Sequence, residues 1–407
     1  MSFLSNKEIL YKIYESDGTT FITTWKDVAS ELVVKTLING GTQPVLIRLA
    51  RPETQFGENV DVKQGNILRV YVFDRESGVN GVCVFSGILT SYIPTVRGGE
   101  EFIEVEFFSQ YWDLNNKMLE SSGDTEVTYT AQDPSNILKD LLDKYVALPG
   151  SVLTYNAGTV ELTGNSATYT FNTSTYQQCI EKALELCPEE WYFRIGPDDL
   201  VYWASKETDP THYFTVGGDI MEYYPEKRFD NIINTIYFRG GDTGGEVYLY
   251  NKYTNSGSVS IYGTRAIKIV DERVIVAATA QSMANRILND KNSAEIRVVL
   301  KIRDSNGEVG DLGYNIESIF PGQTCKILNA TQKSDELWDE ATWDVNFWDY
   351  SILNAAATQL QIMSVEWHAD YAIIELSTRQ PDISKRIEDV NNKLVDSQTD
   401  DNPATPS

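Results

Sequence analysis

Hydrolases and metalloenzymes gather imidazole, thiolate and carboxylate groups at short, recognisable spacings, and those spacings are missing here. Histidine occurs twice, as His212 and His368. Neither has a second histidine four residues away, so the paired-ligand helix of a zinc peptidase is absent. The sequence contains no G-x-S-x-G elbow and no G-x-x-x-x-G-K-[ST] phosphate loop. Gly240-Gly241-Asp242-Thr243-Gly244-Gly245 has no lysine to meet a phosphate and reads as a hairpin or flexible loop between strands. Asp304-x-Asn306-x-Glu308 begins like a calcium loop. Val309, however, stands where such a loop needs glycine, and Asn315 where it needs glutamate. Glu189-Glu190 precedes Trp191-Tyr192-Phe193, and paired carboxylates beside aromatics can cleave glycosides. Neighbours on an extended strand point to opposite faces, so these two read as solvated charges. Cys83, Cys179, Cys187 and Cys325 form no C-x-x-C pair and read as small buried hydrophobes. The patterns predict no catalytic residue, no metal ligand set and no cofactor.

Two other patterns suggest recognition. Trp338-Asp339, Trp343-Asp344 and Trp348-Asp349 repeat a dipeptide every five residues, a period of neither strand nor helix. Three readings of Trp338, Trp343 and Trp348 stay open. They pin a long loop to its own domain, they anchor a partner subunit as hot-spot tryptophans do, or they stack on sugars in a lectin-like site. Farther on, Ile383, Ile387, Val390 and Leu394 are spaced four, three and four apart, the step of a heptad seam. Isoleucine at core positions favours three strands, and a helix this short is marginal alone in water. A single amphipathic helix lying on its own domain has the same spacing.

The elements around these residues are mostly strands. In 1–122, strand-like runs cover Glu8–Tyr14, Val45–Ala50, Ile67–Phe73, Val82–Leu89 and Phe102–Phe108. Ile103, Val105 and Phe107 alternate with Glu104 and Glu106, as in a half-buried strand. In 123–210, Asp133-Pro134 opens a helix with Ile137, Leu138, Leu141, Leu142 and Tyr145 on one face. A strand-like Thr168–Phe171 follows, then a helix capped by Ser174-x-x-Gln177 and stopped by Pro188, then a hairpin over Trp191–Ile195 and Leu200–Trp203. In 211–379, strands are predicted at Asn234–Phe238, Glu246–Tyr250, Ile296–Ile302, Thr324–Leu328, Leu360–Trp367 and Ala372–Leu376, with one helix over Ala277–Asn289. The predicted fold is mainly β with an α+β insertion. Two β-barrel or sandwich domains, 1–122 and 211–379, flank a small α+β domain, 123–210. A short helix, 380–396, precedes a disordered tail, 397–407.

The formal charge of -25 argues against nucleic-acid binding and against an anionic membrane surface. The N-terminal MSFLSNKEIL has no basic region followed by an apolar one, and no apolar run reaches the ~20 residues of a membrane span, so a soluble chain without membrane insertion is expected. Aromatic residues make up 11%, which suits sheets and interfaces, where a ring buries its body and wets its tip.

Four passages resemble the hub proteins of bacteriophage tails and of contractile injection systems. They are Phe85-Ser86-Gly87-Ile88-Leu89; Asp133–Leu142 with Thr175–Leu186 and Trp191–Trp203; Phe214–Ile220 with Asp230-Asn231 through Arg239-Gly240-Gly241; and Ser282–Leu288 with Phe320–Ile327. Together they span most of 1–379. The resemblance implies a homotrimer in which two barrel-like domains per subunit make a ring of six. It also implies docking to a distal tail protein, a tape measure protein, and fibres or a spike. DNA would pass through the ring, and an acidic wall would repel it without sticking. The Trp-Asp segment lies outside the shared pattern. Two alternatives stand beside the hub: a tail-associated enzyme that degrades cell wall, and a receptor- or glycan-binding tail protein.

Overall fold

The computed structural model describes residues 7–25, 28, 31–50, 63–74, 81–97, 100–120, 126–188, 190–243, 248–305, 313–328 and 359–380. Trp338, Trp343, Trp348, Ile383, Ile387, Val390 and Leu394 lie outside them, as do Glu189, Asn306 and Glu308. No helix among the described residues is long and apolar enough to cross a membrane.

The first sheet contains β1 (Lys7–Tyr14), β2 (Phe21–Trp25), β4 (Val45–Ala50), β5 (Ile67–Asp74), β6 (Val82–Arg97) and β7 (Glu100–Phe108). Its strands pair antiparallel in the order β2-β1-β5-β6-β7-β4. A bridge from Val28, just past β2, to Leu49 on β4 brings the two ends of that order together and curls the sheet. The alternation of β7 holds: Ile103, Val105 and Phe107 are buried, while Arg48 on β4 pairs with Glu104 outside at 2.8 Å. Between these strands, β3 (Val34–Leu37) departs from the sheet and pairs with a strand more than 300 residues later.

The middle region has α1 (Gln110–Asn116), β8 (Glu126–Gln132), α2 (Pro134–Val146), β9 (Ala167–Asn172), α3 (Tyr176–Glu185), β10 (Trp191–Ile195) and β11 (Val201–Ser205). The side chain of Asp133 accepts from the Ser135 N–H, and Pro134 fills the first helical position, as the sequence predicts. The five expected face residues of α2 are all buried. The cap of α3 is one residue later than Ser174: Thr175 and Gln178 form the reciprocal pair. Ser174 instead donates its hydroxyl to the Asn172 carbonyl. The Ser-Thr-x-Gln-Gln stretch offers both registers, and the helix takes the second, with Tyr176 buried at its first position.

The rest adds β12 (His212–Thr215), β13 (Ile220–Arg228), β14 (Thr235–Asp242), β15 (Tyr248–Thr254), α4 (Ser256–Tyr262), β16 (Ala266–Asp271), α5 (Ala277–Lys291), β17 (Glu295–Arg303), β18 (Thr324–Leu328), β19 (Leu360–Trp367) and β20 (Tyr371–Ser377). The second large sheet runs β12-β18-β19-β20-β17-β13, with β3 also on β19. Its terminal strands β12 and β13 are joined across the tight Gly217-Gly218 turn, so this sheet must curl as well. The fold is thus mainly β, with curled sheets and a small α+β portion, as expected.

Residues 211–379 do not share one sheet. Strands β15-β14-β16 form a separate three-stranded sheet, and its inner residues Ile236 and Phe238, with Ala280, Met283 and Ala284 of α5, join the apolar cluster of the middle helices. The two large sheets share another apolar cluster, which includes Phe85 and Phe107 from the first and Phe214, Leu300 and Ile374 from the second. Gly240 and Gly241 sit within β14 and not in a loop. A Cβ on Gly240 would stand 2.3 Å from the Val274 carbonyl oxygen, and one on Gly241 would stand 2.0 Å from that of Glu272. Their glycines serve close backbone approach.

Candidate interaction surfaces

The residues that could do chemistry are engaged in structure. His212, on β12, is buried between Tyr314 and Gln323 at 2.8 and 2.9 Å, with Phe214 stacked at 5.8 Å. The Gln323 Oε1 also accepts the Phe320 N–H, so it accepts from the imidazole Nε2–H, and the Nδ1 accepts from the Tyr314 hydroxyl. That pattern is satisfied by neutral histidine. Burial lowers the pKa of His212, against the pull of the Gln323 bond and the Glu207 charge. His368 stacks on Tyr371 at 4.3 Å and meets Glu366 at 3.1 Å and Glu31 at 3.4 Å. Glu190 is exposed, with a positive φ of 70°. The four cysteines are free, and burial pushes the thiols of Cys83 and Cys179 up to about 12. Such thiols are inert. Among the described residues no group of three or more His, Cys, Asp or Glu is placed to hold a metal.

Three joints fix the units to one another. Asn39, in the left-handed region at φ 52°, exchanges hydrogen bonds with Phe193 of β10 at 2.8 and 2.9 Å and donates to Gln380 at 3.1 Å. Ile38 beside it donates to the Met363 carbonyl of β19 at 2.8 Å. Arg69 on β5 meets Asp199, in the turn between β10 and β11, at 2.9 Å. Arg286 on α5 donates to the carbonyls of Leu184, Pro188 and Trp191 at 2.5, 3.0 and 3.2 Å, which ties the C-terminal end of α3 to the start of β10.

A polar cleft of about 890 Å³ lies between α3, β16, α5 and the end of β20. Its cations are committed. Lys182 bridges Asp271 at 2.6 Å and Glu185 at 2.7 Å, and Arg379 donates to the Asn231 carbonyl at 3.1 Å. Burial raises the pKa of the Asp290 carboxyl here, with Lys291 and Arg379 pulling it down. The cleft reads as a joint between packed units.

The outer face of β15-β14-β16 differs from the rest of the surface. Tyr237, Tyr248 and Tyr250 are 48, 43 and 64% exposed, with Val270 beside them. Arg239 lies opposite Tyr250 on β15 and Val270 on β16, and Tyr237 lies opposite Lys252 and Lys268. The Arg239 guanidinium is 5.2 Å from the Tyr248 ring centre and 6.0 Å from that of Tyr250, and the Lys252 ammonium is 5.5 Å from that of Tyr237. The sequence pattern predicts β14 and part of β15 but not β16, the third strand that completes this face. The alternation Tyr248-x-Tyr250-x-Lys252 against Leu249-x-Asn251-x-Tyr253 was the available signal.

No protein-family model and no curated protein matches the sequence. Solved structures match it along nearly its whole length. A 43 kDa tail protein of prophage MuSo2 from Shewanella oneidensis has TM-score 0.54 and 12% identity, covering 91% of this chain and 98% of that one. Prophage tail protein gp18 of Listeria monocytogenes has TM-score 0.55 and 11% identity, over 95% and 99%. A tail protein of Neisseria meningitidis has TM-score 0.55 and 12% identity, over 90% and 96%. The chain has the fold of prophage tail proteins, which bears out the motif resemblance at the level of architecture.

Proposed function

We propose that this chain is a non-catalytic structural subunit of a phage tail, and that it works there as a trimeric hub closing the tail tube. The observation that carries this reading is the fold shared with prophage tail proteins over 90% or more of each chain. Two curled sheets in each subunit give six in a trimer, which matches a six-fold tube to a three-fold tip. The hub would join the tube to a distal tail protein, a tape measure protein, and fibres or a spike, and would open for DNA. Ile383, Ile387, Val390 and Leu394 are proposed as the three-fold seam, and Trp338, Trp343 and Trp348 as contacts to a partner. The charge of -25 suits a channel wall that repels DNA.

Immunogold labelling of intact virions with an antibody against this chain is the direct test. Label at the free end of the tail is expected. Label along the tube, on the capsid or nowhere would overturn the reading. A channel wall lined by lysine and arginine in the assembled particle would sink the acidic-wall proposal separately.

A further inference from the structure

We infer that the outer face of β15-β14-β16 is the surface by which each copy grips an acidic region of the neighbouring copy. This rests on the homotrimeric reading above and assigns it a contact surface. Across the chain, 59 carboxylates stand against 34 lysines and arginines. Among the described residues of this face, the carboxylates beside Arg239, Lys252 and Lys268 are Asp242 at one end and Glu272 at the margin, the latter 4.0 Å from Arg239. Neither Lys252 nor Lys268 is in an ion pair among the described residues.

Copies carrying a charge of -25 repel one another over most approaches. A patch of inverted charge lets a second copy close, with its acidic surface as the complement. Such a contact joins two different patches of the same chain, and that head-to-tail type closes into a ring when the rotation allows. The face also carries the residue types that dominate binding energy at protein interfaces, tyrosine and arginine. A sugar ligand fits less well. The Arg239 guanidinium lies near the two rings, Tyr248 and Tyr250, on which a sugar would stack.

The test is mass in solution by sedimentation equilibrium of the full chain, over a range of protein and salt concentrations. Three proteins are compared: the natural chain, Lys252→Glu with Lys268→Glu, and Lys139→Glu with Arg303→Glu as a control of equal charge change elsewhere. Support is a natural chain and control that associate, a face variant that is monomeric with an unchanged melting curve, and loss of association of the natural chain toward 1 M salt, where the screening length is roughly 3 Å. Tyr250→Ser, which changes no charge, is expected to weaken association at least tenfold and serves if the double variant misfolds. A face variant that associates like the natural chain overturns this inference and leaves the trimer standing. A natural chain that is monomeric throughout overturns both.

Discussion

Arg69 and Asp199, 130 residues apart in sequence, meet at 2.9 Å and fasten the first sheet to the β10–β11 turn. Ser86 donates to the same Asp199 oxygen at 3.0 Å, and the Cys83 thiol reaches the Pro197 carbonyl at 3.1 Å. The other Asp199 oxygen is buried with no partner among the described residues. Burial therefore raises the pKa of this carboxyl, and the Arg69 and Ser86 bonds pull it down.

Removing Arg69 leaves that carboxyl buried without its cation. Arg69→Met is expected to cost on the order of 3 kcal/mol, the scale for breaking a buried pair on one side. Asp199→Asn with Arg69→Met together should cost less than Arg69→Met alone. Urea unfolding of the four proteins of this cycle checks both statements.

His212 gives the fold a pH dependence of known sign. Its folded pKa is lowered by burial, so as pH falls through about 6.5 the unfolded chain takes up the proton first and stability declines. His212→Phe should lower stability at pH 8 by stranding Tyr314 and Gln323, yet lose less than the natural chain between pH 7 and pH 5. Thermal midpoints at the three pH values decide it. An equal loss in both proteins would remove His212 from the account.

Gly322 holds a backbone φ of 94°, and a Cβ there would lie 2.3 Å from the Tyr192 ring. Pro321-Gly322, just before β18, therefore brings the backbone close against Tyr192 of β10. Gly322→Ala is expected to destabilise by about 1–3 kcal/mol, from strained backbone with overpacking added. Denaturant midpoints measure this, and Gly150→Ala, at φ 77° with nothing within 4 Å, isolates the backbone contribution.

The position of the α3 cap can be read from two substitutions. Thr175→Ala removes the hydroxyl that accepts the Gln178 N–H at 3.2 Å and should cost about 1 kcal/mol. Ser174→Ala should cost less, since its hydroxyl donates to a carbonyl outside the helix. The reverse order in chemical denaturation would place the cap at Ser174.

Local chemistry determined much of this protein from its sequence alone. Strands Val45–Ala50, Thr324–Leu328, Leu360–Trp367 and Trp191–Ile195 have the bounds that apolar runs and turn residues predict, and Asp133-Pro134 starts α2 where capping demands it. Those features depend on neighbours a few residues away. The strands missed, such as Val34–Leu37, Ile220–Arg228 and Ala266–Asp271, are short or carry charge and proline, and they exist because a distant edge pairs with them. The assignment of residues between β13 and β17 to the middle helices was likewise decided by packing: Ile236 and Phe238 have the pattern of any half-buried strand, and α5 supplies the surface that buries them. The same holds for Tyr237, Arg239, Tyr250, Lys252 and Lys268. Their types are visible in the sequence, but their meeting on one face needed the register of three strands, in one antiparallel and one parallel pairing, which only the tertiary structure provides.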